Sequence, residues 1–263
     1  MSAGRVAARC ALALALAAAC RGEPAPEPPP IRVAAAADLA LAFEELGRAF
    51  EREHGARVTF SFGSTGLLAA QIEQGAPFDL FAAANVAFVD RVVARGACDG
   101  RTQTPYARGR IAVWSRRGRV APPARLEELA DPRFARVAIA NPEHAPYGQA
   151  AKQALERAGV WATVAPRLVQ GENVRHTLQL ATTGNADAAI VALSLVSADR
   201  EHPWLLVDEA LHAPIEQALV ACDGGADRAG GEAFARFVGS PEGRAIMRRH
   251  GFLLPGERLD EGS

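Results

Sequence analysis

The sequence predicts an α/β protein built as two doubly wound lobes joined by crossing hinge strands. Three observations carry this. Short apolar or alternating stretches give way, again and again, to stretches with helical spacing, which implies parallel strands covered by helices on both faces. The strands are more numerous than one small sheet needs. The chain has 263 residues, and the part from Ile31 onward is long enough for one large domain or two lobes.

Residues 1–20 read as a targeting segment. Arg5 and Arg9 provide its positive region, and the apolar run at 11–19 is too short to span a bilayer. Ala17-Ala18-Ala19-Cys20 resembles a lipoprotein signal, with Cys20 as the lipidated first residue of the mature protein. Ala17 stands where such signals usually carry leucine, and ordinary signal cleavage near the same point is the alternative. Either route takes the chain out of the cytoplasm, to the periplasm, anchored to a membrane through Cys20 if lipidated. Residues 21–30 (RGEPAPEPPP) are too rich in Pro and Glu to bury a core and read as an extended tether.

From there the pattern predicts strand 31–37, then helix 39–53 with Leu39, Ala42, Phe43, Leu46, Ala49 and Phe50 on one face. Strand 57–62 alternates through Val58, Phe60 and Phe62 and leads to helix 66–74. Strand 79–84, helix 86–95 and strand 106–114 follow. A Pro-rich loop and a short helix at 125–130 precede strand 136–140 and helix 147–158, which Gly159 ends. Strand 167–170, helix 173–183, strand 187–191, a short helix at 193–200 and strand 205–207 come next. Strand 214–221 and helices 229–238 and 241–250 complete the order. Strands 106–114 and 214–221 are expected to be the crossings. That places 31–112 and 215–263 in the first lobe and 113–214 in the second.

With 29 Lys+Arg against 30 Asp+Glu, the formal net charge is −1, and no basic footprint for nucleic acid is present. Of the four cysteines, Cys10 falls in the signal and Cys20 is the candidate anchor. Cys98 and Cys222 remain, each in a Cys-Asp-Gly turn, and either pair in an oxidising compartment or stand as two unrelated thiols. If the crossing strands run antiparallel, both cysteines land on the first-lobe side, within the 4.4–6.8 Å Cα separation of a disulfide.

Ligands of such sheets bind beyond the C-terminal strand ends, and four strand-to-helix turns fit that position. They are Ala36-Ala37-Asp38, Ser64-Thr65, the stretch 141–148 (NPEHAPYG) and the stretch 170–174 (QGENV). Each offers backbone N–H groups at a helix N-terminus, and none contributes a cation. A tetrahedral dianion has only acceptor oxygens, so hydroxyl and N–H donors suffice for it. Taken singly, each turn reads first as an ordinary capped helix start; the functional reading comes from several such turns of one chain falling at strand C-termini.

The stretches 31–39 (IRVAAAADL), 62–66 (FGSTG), 71–84 (QIEQGAPFDLFAAA), 141–150 (NPEHAPYGQA) and 172–175 (ENVR) resemble the periplasmic molybdate-binding protein family of bacterial ABC importers, a type-2 solute-binding fold. The resemblance extends over 106–114 and the C-terminal SPE…GF segment, so it covers essentially all of 31–254. It implies capture of molybdate between the lobes, and of tungstate, which has nearly the same size, charge and shape. It also implies delivery to a membrane permease and its ATPase, a monomer, no cofactor, no metal cation and no catalysis. The oxyanion contacts carry over to Asp38, Ser64, Thr65, the backbone of Tyr147 and the backbone of Val174. Two positions depart from the family: Asp38 stands where Ser, Thr or Asn is usual, and Ala192 where some members have tyrosine. A carboxylate facing a dianion repels it, so the Asp38 side chain is expected to turn back as an N-cap.

Asp38 also feeds the alternative of a phosphate or other oxyanion binder, because a carboxylate can accept a proton carried by the anion. An extracytoplasmic enzyme is disfavoured: there is no G-x-S-x-G turn, and the six histidines show no metal-ligand spacing. His144, Glu143 and Glu172 read as loop residues. The effector lobe of a transcription regulator is disfavoured by the export signal and by the lack of a helix-turn-helix segment before Ile31.

Overall fold

The computed structural model describes residues 28–257. The signal, Cys20 and most of the tether therefore lie outside the described residues. In chain order the strands and α-helices are β1 (Ile31–Ala36), α1 (Ala40–His54), β2 (Val58–Gly63), α2 (Thr65–Glu73), β3 (Leu80–Ala83), α3 (Val86–Ala94), β4 (Thr104–Gly109), β5 (Ile111–Ser115), β6 (Val137–Ala140), α4 (Pro146–Arg157), α5 (Trp161–Val164), β7 (Leu168–Gly171), α6 (Val174–Thr182), β8 (Ala188–Ala192), β9 (Trp204–Leu206), β10 (Ile215–Ala221), α7 (Arg228–Val238) and α8 (Pro241–Arg249).

They form two five-stranded sheets, ordered β2-β1-β3-β10-β4 and β7-β6-β8-β5-β9. The sheets follow one plan. Three strands run parallel, and a fourth, β10 or β5, pairs antiparallel beside them. Even the edge carboxylates repeat: Asp79, just before β3, accepts the Arg32 N–H, and Asp187, just before β8, accepts the Arg136 N–H. The inner parallel strands β3, β6 and β8, and β1 apart from Arg32, are continuous apolar runs because helices cover both faces. All six residues expected on one face of α1 are buried, and Phe43 and Phe50 meet Phe234 of α7 edge to face.

The crossings differ from the expected ones. Residues 106–114 are not one strand. β4 belongs to the first sheet and β5 to the second, and the chain changes lobe at Arg110. The Arg110 guanidinium donates to the Gly251 carbonyl at 2.9 and 3.2 Å, which fixes the crossover against the C-terminal segment. Strand β10 lies wholly in the first sheet, between β3 and β4. The return crossing is the stretch 207–214 that precedes it. The expected short helices at 193–200 and 125–130 are single 3-10 turns at Leu193–Leu195 and Leu126–Ala130.

Cys98 and Cys222 are joined by a disulfide. They face each other in an antiparallel bridge, flanked by the Asp99 N–H to Ala221 and Asp223 N–H to Ala97 hydrogen bonds. This is the narrow, non-hydrogen-bonded kind of cross-strand pair, so the Cα separation of 3.9 Å is shorter than the expected range. Ala221 pairs with Leu80, at the start of β3, which puts the disulfide at the end of the first lobe remote from the C-terminal strand ends.

Candidate functional site

Asp38, Ser64, Thr65, Tyr147 and Val174 line one cavity between the lobes. All five are buried. The strand ends supply them: the turn after β1, the starts of α2 and α4, and the start of α6. No Lys, Arg or His is among the lining residues.

Helix capping explains the donors. Helices α3, α6, α7 and α8 begin with a side chain (Asn85, Asn173, Asp227, Ser240) that accepts from their first-turn N–H groups. Helices α2 and α4 have no side-chain cap. Thr65 and Tyr147 occupy the first and second positions of these helices, where a backbone N–H has no intrahelical acceptor. In α6, Asn173 accepts from Arg175 and His176, so Val174, the first residue, keeps its N–H outside that cap. Three N–H groups at three positive helix ends converge on one buried space, which suits an anion.

The hydroxyls behave differently. Thr65 Oγ1 accepts from the Ala84 N–H at 3.2 Å, so its proton remains available to a ligand. Ser64 Oγ donates to the His144 carbonyl at 2.6 Å and lies 2.8 Å from His144 Nδ1. The Gly66 N–H donates to the same carbonyl at 3.0 Å. Ser64 thus ties the lobes together rather than pointing a free donor at the cavity. A side chain on Gly66 would sit 2.7 Å from that carbonyl oxygen, so only glycine permits this approach.

Asp38 is not an N-cap. It lies inside a 3-10 turn, Ala37–Leu39, with no side-chain capping bond. Its Oδ2 accepts from Tyr147 Oη of the second lobe at 2.9 Å and from Gln217 Nε2 of β10 at 2.8 Å. The Tyr106 hydroxyl donates to Gln217 Oε1 at 2.6 Å, which orients the amide. Ser194 Oγ adds a second cross-lobe bond, to the Asp38 carbonyl at 2.8 Å. Burial pushes the Asp38 carboxyl up to about 6, against the opposing pull of the Gln217 and Tyr147 hydrogen bonds. Burial, and after it the Asp38 charge, holds both phenols well above their usual range. The Tyr147 hydroxyl therefore fastens Asp38, while its backbone N–H is the group free for a ligand.

Gln217, Tyr106 and Ser194 were not among the candidate site residues of the sequence, and Gly66 stood in the FGSTG turn without its cross-lobe role being legible. Gln217 left a signal: it shares the buried face of β10 with Ile215 and Leu219, and a polar residue on an apolar face needs a partner. Gly109 left none, although a Cβ there would fall 2.0 Å from Tyr147 Oη. Glu143 and Glu172 are exposed on their loops.

Two doubly wound lobes closing over a cavity lined by anion-suited donors define a two-lobed solute-binding protein of the type-2 periplasmic architecture. The family model of bacterial extracellular solute-binding proteins matches residues 31–253, and the chain belongs to that family. It is 34% identical over 221 residues to the molybdate-binding protein ModA of Rhodobacter capsulatus, covering 83% of this chain and 86% of that one. With the molybdate-binding protein ModA of Escherichia coli K12 it shares 31% identity over 230 residues, 83% of this chain and 87% of the relative. Among solved structures, the periplasmic molybdate-binding protein of Azotobacter vinelandii superposes with a TM-score of 0.80 at 28% identity, covering 86% of this chain and 99% of that one.

Proposed function

We propose that the protein captures molybdate as a tetrahedral oxyanion between its lobes and delivers it to an ABC importer, with tungstate as a second ligand. The observation that carries this is the convergence of uncapped N–H groups at Thr65, Tyr147 and Val174 on one buried cavity free of cations. The likeness to proteins named for molybdate binding supplies the choice of anion. The contacts reach the oxygens of the anion, and no residue coordinates the metal. Neutral dipoles hold a dianion without a buried countercharge that would slow its release to a permease. An anchored or freely exported monomer outside the cytoplasm fits this role.

Calorimetric titration of the purified protein tests the reading. One molybdate per chain is expected, with sulfate and phosphate giving no saturable heat; binding of phosphate alone would assign the site to a different anion. Thr65→Val removes a hydroxyl that serves both the ligand and the Ala84 N–H. Its Kd for molybdate should rise on the order of 10- to 100-fold, as expected for one lost hydrogen bond to a charged group. Thr65→Ser should keep most of the affinity. Unchanged affinity in a folded Thr65→Val protein would take Thr65 out of the site.

A further inference from the structure

Asp38 is 1% exposed, and only one of its two carboxylate oxygens is engaged. Oδ1 is buried without a partner among the described residues, in a residue that lines the anion cavity. An unpaired, buried carboxylate oxygen is costly, and it becomes more so when a dianion enters the same space.

Among the described residues no cationic side chain bonds to Asp38: half-buried Arg110, whose charge acts on the Tyr147 phenol, donates to the Gly251 carbonyl instead, and Arg48 of α1 is exposed. Tyr147 from α4, Tyr106 from β4 and Gln217 from β10 meet it as neutral groups. Strand β2 and the Leu193–Leu195 turn hold no ionisable residue, and Ser194 reaches only the Asp38 carbonyl. Helix α1 brings acidic Glu44 and half-buried Glu45, the latter paired with Arg249 and His250. On α6, Arg175 and His176 are exposed. His144 is engaged with Ser64. A proton is the neutralising agent this arrangement leaves.

We propose that the anion is captured together with one proton, held between Asp38 Oδ1 and an oxygen of the anion, so that each binding event takes up a proton from solvent. The inference rests on the oxyanion reading above and deepens it. No bond within the anion breaks; the proton comes from the buffer and returns on release. A shared proton requires an oxyanion basic enough to hold it, so basicity works against sulfate alone, and phosphate, more basic than molybdate, must be rejected by size. Sulfate, the conjugate base of a strong acid, is the poorer partner.

The direction of the pH dependence follows. With the Asp38 carboxyl at about 6 in the ligand-free closed form, it is mostly ionised at neutral pH. The bound anion raises it further. Between those two values the complex holds more protons than the free protein, so affinity falls as pH rises, approaching tenfold in Kd per pH unit. Below about 6 the dependence flattens.

Calorimetry of the purified protein with sodium molybdate, run near neutral pH in buffers of different ionisation enthalpy, counts the protons directly. Close to one proton taken up per anion, and a Kd that rises steeply with pH above neutrality, are expected. Asp38→Asn should bind with no proton uptake and a flat profile, while His144→Gln should keep both signatures. Binding by the parent protein with no proton uptake would overturn the proposal whether or not the Asp38 variants fold. So would uptake that survives in Asp38→Asn and disappears in His144→Gln. Absence of molybdate binding at every pH would instead overturn the oxyanion reading itself, a distinguishable result.

Discussion

Gly66→Ala is expected to weaken anion binding on the order of 100-fold without loosening either lobe. The new Cβ would meet the backbone of the opposing loop, at 2.7 Å from the His144 carbonyl oxygen and 3.1 Å from its Cα. Neither atom can swing aside as a flexible side-chain tip could. The lobes must part, and two bonds to that carbonyl are lost together, one from the Gly66 N–H and one from the Ser64 hydroxyl. At about 1 to 1.5 kcal/mol each, this amounts to roughly 2–3 kcal/mol, on the order of 30- to 100-fold in Kd. Because Gly66 is the second residue of α2, alanine there does not harm the helix. The ligand-free melting temperature should be unchanged or slightly higher, while the stabilisation by molybdate shrinks. Scattering from the variant with molybdate should show an open form. Parent-like affinity would mean that the lobes do not need this approach to hold the anion.

The second large effect is on stability. Removing the disulfide through Cys98→Ala and Cys222→Ala together should lower stability by about 3–5 kcal/mol, or roughly 6–20 °C in melting temperature for a chain of this size. The two cysteines are 124 positions apart, so the bond closes a loop that contains the whole second lobe. Few single cross-links constrain the unfolded chain as much. Both side chains are buried, and truncation adds a small packing loss. The bond lies at the end of the first sheet away from the cavity, so Kd for molybdate should stay within a few-fold of the parent value. A fall in affinity as large as that of Gly66→Ala would show that the first lobe depends on the bond for its binding geometry. Thiol titration of the unfolded, non-reduced parent should find Cys98 and Cys222 blocked.

Much of this was legible from local pattern. β1, β3, β6 and β8 are apolar runs between turn residues, and the donor turns follow from where strands stop and helices start. Those are short-range facts, and short-range patterns record them. What escaped the sequence is long-range. Residues 106–114 look like one strand because both halves have strand composition, but the two halves pair with different sheets, which no local signal encodes. Asp38 sits at a helix start and reads there as a cap. Its actual partners lie 109 and 179 positions away, at Tyr147 and Gln217. Ser64 reads as a ligand donor for the same reason, since the carbonyl that takes its proton belongs to a loop 80 positions on. The cavity's chemistry, N–H rich and cation free, was visible; the cross-lobe bonds that close it were not.

The N-terminal ends of α2, α4 and α6 are proposed to hold one molybdate between the lobes. Anomalous diffraction at the molybdenum edge, on crystals grown with stoichiometric molybdate, tests it most directly. A single molybdenum peak in the cavity is expected. Its oxygens should lie within hydrogen-bond distance of the Thr65 hydroxyl and the Tyr147 and Val174 N–H groups, with one oxygen against Asp38 Oδ1. An empty cavity, or a peak held elsewhere by cationic side chains, would contradict it.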